Sequence, residues 1–130
     1  EPRITVAGIA GPGDPFANVD ETLRTMLLLR RKYPDLILCL SSNGLGLAPY
    51  VHEVADIGVS HVTVTVNGID PEITKNIYTY VRDGNIVYRH LQAAELLLAR
   101  QLKAIEMLKS RGVVVKVNFI AIPGVNDHHA

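Results

Sequence analysis

Runs of aliphatic residues end repeatedly in turns rich in Gly, Asn or Pro and then give way to a helical pattern. This alternation constrains the fold more than any other feature of the chain. Parallel strands need a crossover of about a dozen residues or more, and a helix is the usual one. Residues 3–9, 36–40, 61–66 and 113–120 read as strands. The first three are followed by Gly11-Pro12-Gly13-Asp14-Pro15, Ser41-Ser42-Asn43-Gly44 and Asn67-Gly68-Ile69-Asp70-Pro71, and the fourth by Pro123-Gly124-Val125-Asn126-Asp127. None of these can be regular structure. Residues 18–32 read as a helix, with Asn18 placed to cap it and Asp20 and Glu21 at its positive end. Short helices are expected from about residue 49 to Gly58 and over 72–78. A long helix is expected over 92–110, with Leu98, Leu102, Ile105 and Leu108 on one stripe. The polar stretch 82–90 reads as a loop.

The strand faces say more than the strand count. A parallel strand covered on both sides is apolar at nearly every position. Here Val62, Val64 and Val66 alternate with Thr63, Thr65 and Asn67. Val115, Val117 and Phe119 alternate with Lys116, Asn118 and Ile120, and Leu38 and Leu40 with Cys39, Ser41 and Asn43. One face therefore grows polar toward the carboxyl ends of the strands. The expected architecture is α/β: a (βα) barrel of TIM type, or an open arc of one, whose lumen holds a polar ligand. A flavodoxin-like sheet with a few tolerated threonines is the alternative.

Charge and cysteine content narrow the functions. Thirteen Lys and Arg balance thirteen Asp and Glu, so no basic excess points to nucleic acid. The longest apolar run, residues 113–122, is interrupted by Lys116 and Asn118 and is too short for a bilayer. A single Cys excludes a disulfide framework and points to a reducing compartment, the cytoplasm.

Each motif has a plain reading beside the functional one. The Gly11-Pro12-Gly13-Asp14-Pro15 loop lets a ligand approach backbone amides and carbonyls. It lacks the Lys-Ser/Thr of a P-loop and the third Gly of a dinucleotide fingerprint, and Asp14 would repel phosphate and attract an ammonium group. The plain reading is a tight turn. Ser41, Ser42, Asn43, Thr63 and Thr65 could equally cap helices or pair across strands. Their weight comes from converging on one end of one sheet, where α/β folds bind ligands. A lone Cys39 is more often a small packed hydrophobe than a ligand. The five His show no metal spacing. Lys116 could face an anionic ligand or pair with a carboxylate.

Three segments together resemble radical S-adenosylmethionine (SAM) enzymes. The Gly-Pro-Gly-Asp-Pro loop resembles their Gly-Gly-Glu-Pro motif, and Leu40-Ser41-Ser42-Asn43-Gly44 their Thr-Asn-Gly turn. Val117-Asn118 followed by Pro123-Gly124-Val125-Asn126-Asp127 resembles their Val-Asn and Gly-x-Asn-Asp segment. Within that superfamily four segments resemble the branch that assembles the nitrogenase iron–molybdenum cofactor. These are residues 8–15, Cys39-Leu40-Ser41, residues 62–67 with Asp70-Pro71-Glu72-Ile73, and Leu96-Leu97-Leu98 with Arg100-Gln101. Other radical SAM maturases, acting on molybdenum cofactor or on peptides, share the Asn-Gly and Gly-x-Asn-Asp turns. A non-catalytic module that binds SAM or another small molecule is the reading from a different class.

The resemblance implies a specific chemistry. A reduced [4Fe–4S] cluster cleaves SAM to methionine and a 5′-deoxyadenosyl radical. Two further [4Fe–4S] clusters, the substrates, are fused with a SAM-derived carbide and a sulfur into an eight-iron precursor. Carried over position by position, Gly11, Gly13 and Asp14 are expected to hold the methionine amino end of SAM. Ser41, Ser42 and Thr65 are expected to contact its polar groups, and the backbone at Val117 and Asn118 its adenosine. Cys39 matches a cysteine that ligates one substrate cluster. The implied partners are cofactor-assembly proteins that donate and carry clusters. The family's Cys-x₃-Cys-x₂-Cys motif is absent, and one Cys cannot replace it. Residues 1–130 are therefore expected to be an internal fragment, without the first strand and its cysteine loop and without the last strands. Such a fragment would be inactive alone and open to self-association through its sheet edges.

Overall fold

The computed structural model of the chain describes residues 3–130. Strands β1 (Val6–Ile9), β2 (Ile37–Ser42), β3 (Val59–Thr65) and β6 (Val114–Asn118) form one parallel sheet in that order. Helix α1 (Val19–Lys32) crosses from β1 to β2, and α2 (Val51–Ile57), entered through a 3₁₀ turn at Ala48–Tyr50, crosses from β2 to β3. A short α3 (Pro71–Thr74), a hairpin of β4 (Tyr80–Asp83) and β5 (Ile86–Arg89), and the long α4 (His90–Ser110) connect β3 to β6. Sequential strand order with a helix in every crossover makes the chain a partial TIM-type barrel.

The core lies on one face of the sheet. Leu38, Leu40, Val62 and Val64 are completely or almost completely buried there against Met26 of α1, Val51 and Val54 of α2, and Ala104 and Leu108 of α4. Arg30 ties the amino-terminal side of the sheet together. Its guanidinium donates to the carbonyls of Pro34 and Leu36 before and at the start of β2, and to those of Ile57 and Gly58 at the end of α2.

Several elements differ from the sequence reading. The stretch expected to be a loop contains the β4–β5 hairpin. Only Val81 of the hairpin is buried, packed on Ala93 and Leu97 of α4, and Asp83 is paired with Arg100 at 2.8 Å. Tyr88 packs partly on the same cluster, while Tyr80, Ile86 and Val87 are exposed, and the polar residues around the turn imitate a loop. The Asp83-Gly84-Asn85 run was the available hairpin signal. The buried stripe of α4 is Ala93, Ala94, Leu97, Gln101, Ala104 and Leu108, whereas Leu102 is 52% exposed. Alanines let this helix sit close to the sheet, which turns the larger Leu102 outward. Asn18 holds the N-cap position of α1 without making a side-chain cap bond. Buried Thr22 instead donates to the Pro15 carbonyl at 2.7 Å and fastens the preceding loop to the helix. Strand β2 runs two residues past Leu40, through Ser41 and Ser42, and the helix expected over 72–78 stops at Thr74.

The carboxyl end of β6 is folded back by Asn126, which is fully buried. Its Nδ2 donates to the carbonyls of Asn67 at 2.8 Å and Ile120 at 2.9 Å, and its Oδ1 accepts from the Ile122 amide at 2.6 Å. Replacing it strands three backbone groups, each costing about 1–3 kcal/mol when unpaired. Asn126→Ala should therefore lower the free energy of urea unfolding by about 3 kcal/mol or more. The adjacent, exposed Asp127→Ala should move the midpoint far less, and equal effects would show that Asn126 is not a latch.

Candidate functional site

The register sorts the strand residues into two faces. Leu40, Val62 and Val115 lie in one row on the core side. Ser41, Thr63 and Lys116 form a row on the opposite, open side, with Cys39, His61 and Val114 in the row below. Thr65 and Asn118 are paired one step nearer the carboxyl ends. The lower part of this face is apolar, with Val6, Ile37 and Val114 between 41% and 54% exposed. The upper part carries hydroxyls, an amide and an ammonium group. Lys116 enters no ion pair among the described residues.

Cys39 sits on this open face, partly exposed, and Gly8 of β1 is its register partner. A Cβ added at Gly8 would lie 2.7 Å from Cys39 Sγ, so the glycine is the space that the thiol occupies. His61 stands beside Cys39 on β3, and its Nδ1 meets Ser60 Oγ at 2.5 Å. Sequence spacing could not bring this pair together, because only the strand register makes them neighbours. No group of three or more potential metal ligands occurs among the described residues.

The Gly11-Pro12-Gly13-Asp14-Pro15 loop follows β1 at the same end of the sheet. Gly13 has φ +83, and a Cβ there would meet nothing within 4 Å, so the backbone at this point is open to a ligand. The Asp14 carboxylate does not face that opening freely. It accepts from the Phe16 amide at 3.0 Å, from Ser42 Oγ at 2.9 and 3.1 Å, and from the Asn43 amide at 2.5 Å. Asp14 thus clips its loop to the carboxyl end of β2. The carboxylate stays half-buried and lines the same hollow as Gly11, Pro12 and Gly13. Ser42 is likewise turned to the core side, 5% exposed, and its hydroxyl also accepts from the Gly44 amide at 3.0 Å. Alternation along β2 leaves Ser41, and not Ser42, on the open face.

Val117 and Asn118 end β6 beside Val64 and Thr65, and the Asn118 carbonyl accepts from the Val66 amide at 2.9 Å. The structure also brings in residues that sequence reasoning did not assign. Gln101 of α4, 3% exposed, donates through Nε2 to the carbonyls of Asn43 at 2.7 Å and Thr65 at 2.9 Å. Asn67 Nδ2 donates to the Tyr78 hydroxyl at 3.1 Å, and its Oδ1 accepts from the Ile120 amide at 3.0 Å. Gln101 falls among the charged and polar residues of α4 in the sequence, and only the packing of the helix puts it on the buried stripe.

Residues 7–130 match the radical SAM superfamily, and the chain belongs to it. The chain is 58% identical over 128 residues to the FeMo cofactor biosynthesis protein NifB of Chlorobaculum tepidum, which covers 98% of this chain and 30% of that protein. It is 49% identical over 126 residues to NifB of Klebsiella pneumoniae, covering 97% of this chain and 27% of that protein. With NifB of Herbaspirillum seropedicae the identity is 46% over 128 residues, 98% of this chain and 24% of that protein. The chain thus spans less than a third of the length of these relatives.

Two measurements check this geometry. Gly8→Ala should cost about 1–2 kcal/mol, because the new methyl displaces Cys39 Sγ. In a Cys39→Ala background most of that cost should disappear, and an unchanged cost would show that the two positions are not coupled. Burial pushes the Tyr78 phenol above the usual tyrosine range. The folded state then holds this proton longer than the unfolded chain. Stability from Tyr78 is present below pH ~10 and is lost as pH rises through the higher folded value. Absorbance at 295 nm should show one of the five tyrosines ionising after the others. Five coincident titrations would contradict the assignment.

Proposed function

We propose that this chain is the SAM-binding part of a nitrogenase cofactor biosynthesis enzyme. The observation that carries the proposal is its 58% identity, across nearly its whole length, to a protein named for FeMo cofactor biosynthesis. On this reading the intact protein fuses two [4Fe–4S] substrate clusters with a carbide and a sulfur into the eight-iron core of the iron–molybdenum cofactor. Cluster donors and carriers in the cytoplasm are its partners. The three cysteines of the SAM-cleaving cluster lie outside these 130 residues, since one thiol cannot supply three ligands.

The residues present suit a zwitterionic, polar ligand at the carboxyl ends of the strands. When bound beside its reduced cluster, SAM supplies a 5′-deoxyadenosyl radical and the methyl carbon that becomes carbide. The chain's own task is to bind, orient and shield. The open backbone of Gly11 and Gly13 offers carbonyls to the methionine ammonium, and the Asp14 clip with Ser42 holds that loop at the end of β2. Ser41 and Thr65 supply hydroxyls on the open face, and the backbone at Val117 and Asn118 meets the adenosine. Cys39, half-exposed on the open face, is suited to hold iron of a substrate cluster.

In the full-length protein, Gly13→Val should weaken SAM binding by about tenfold or more, because a β-branched side chain resists positive φ and fills the open approach. Cys39→Ser should lower the iron bound beyond the SAM cluster while 5′-deoxyadenosine formation persists. Iron content equal to that of the parent would defeat the ligand assignment, and unchanged SAM affinity in Gly13→Val would leave the loop a mere turn.

A further inference from the structure

Strands β2 and β3 stay hydrogen-bonded only as far as Ser42 and Val64. Just past that last pair the two chains diverge, β2 into the Asn43-Gly44 turn and β3 toward Asn67. The next carbonyls, those of Asn43 and Thr65, therefore lose their strand partners at a half-buried point of the sheet end. A buried carbonyl without a donor is costly. Gln101 answers both with a single amide nitrogen, at 2.7 and 2.9 Å. It reaches them from the middle of α4, and is 3% exposed on a stripe otherwise made of Ala and Leu.

The surroundings are shaped to this side chain. Gly44 has φ +84, and a Cβ there would lie 2.9 Å from Gln101 Cγ and 3.1 Å from Val64 Cγ1. Only a glycine lets the turn close over the glutamine stem. The backbone of Asn43 is then held on both of its peptide units, the amide by the Asp14 carboxylate and the carbonyl by Gln101. Through that residue the glutamine is linked to the loop at Gly13, and through the Thr65 carbonyl to the residue that turns its hydroxyl to the open face.

We infer that Gln101 is the positioning residue of the ligand site: its one amide sets the separation of the β2 and β3 carboxyl ends, and so the spacing of the groups that face SAM. The inference rests on the proposed function for the identity of the ligand, and on the hydrogen bonds alone for the positioning. Gln101 touches no ligand itself. Its removal should spread the two strand ends and misplace Ser41, Thr65 and the Asp14-bound loop together, which a loss of stability elsewhere on α4 should not do.

The test uses the full-length protein with Gln101→Met, which keeps the length and loses both donated bonds. Gln101→Glu serves as a second variant, and Leu108→Ala, two turns along the same helix, as a destabilised control. SAM affinity is read by equilibrium dialysis, and amide hydrogen exchange is read at Gly44 and Val66. Gln101→Met should raise the SAM Kd by about tenfold or more and speed exchange at both amides at least as much. Leu108→Ala should lower Tm and leave Kd within about twofold of the parent. Gln101→Glu should bind poorly at neutral pH and recover as its carboxyl is protonated, because the acid form restores one donor. Unchanged Kd and exchange in Gln101→Met, or an equal rise of Kd in Leu108→Ala, would overturn the inference. If the parent protein itself fails to bind SAM, the functional proposal falls, and the exchange at Gly44 and Val66 still decides whether Gln101 positions the strand ends.

Discussion

A parallel sheet covered by helices on one face must still account for its other face. Here the covered face is closed by Leu38, Leu40, Val62 and Val64 against three helices. The period of two along each strand then sends Cys39, Ser41, Thr63, Thr65, Lys116 and Asn118 to the open side. A slip of one residue would exchange the two faces of a strand, burying Lys116 in β6 or the hydroxyls of Thr63 and Thr65 in β3. The hydrophobic core and the open polar face are thus fixed by the same register, and neither can change without the other.

The carboxyl ends of the strands need a different kind of support, because the ladder bonds stop there. Three buried or half-buried polar side chains supply it. Asp14 joins the first loop to β2, Gln101 joins β2 to β3, and Asn126 joins the segment after β6 to the end of β3. Each satisfies backbone groups that the diverging chains leave behind, and each links two elements that are distant in sequence. A net gain of about 1 kcal/mol per bond matters less than the cost of losing one partner, which leaves buried amides and carbonyls unpaired. This arrangement ties the strand ends together from the loops and from α4. Ser42 is bonded to Asp14 and buried on the core side, whereas Ser41 and Thr65 are half-exposed on the open face.

Much of this was legible in the sequence. Alternation placed Cys39 and Thr65 on one face and the valines on the other, and turn residues marked all four strand ends. The features that escaped were those set by contacts between distant segments. Gln101 reads as an ordinary polar residue on an amphipathic helix until α4 is laid on the sheet through its alanines. The Cys39–His61 neighbourhood exists only in the register of β2 and β3, and no spacing rule along one chain reveals it. The bonds of Asp14 to Ser42 and Asn43 were equally hidden, because those donors lie 28 and 29 residues away along the chain. The hairpin failed for a simpler reason: its apolar residues, Tyr80, Val81 and Ile86 to Tyr88, stand in two short runs without a period of two, on either side of a polar turn.

The central claim is that SAM lies on the open face at the carboxyl ends of β1, β2, β3 and β6. A crystal structure of the full-length protein with SAM bound tests it most directly. The account predicts the methionine ammonium against the backbone carbonyls of the Gly11–Gly13 loop, Ser41 and Thr65 within hydrogen-bond reach of the ligand, and the Asp14 carboxylate still bonded to Ser42 and Asn43. SAM bound on the helix side of the sheet, or away from these strand ends, would contradict it.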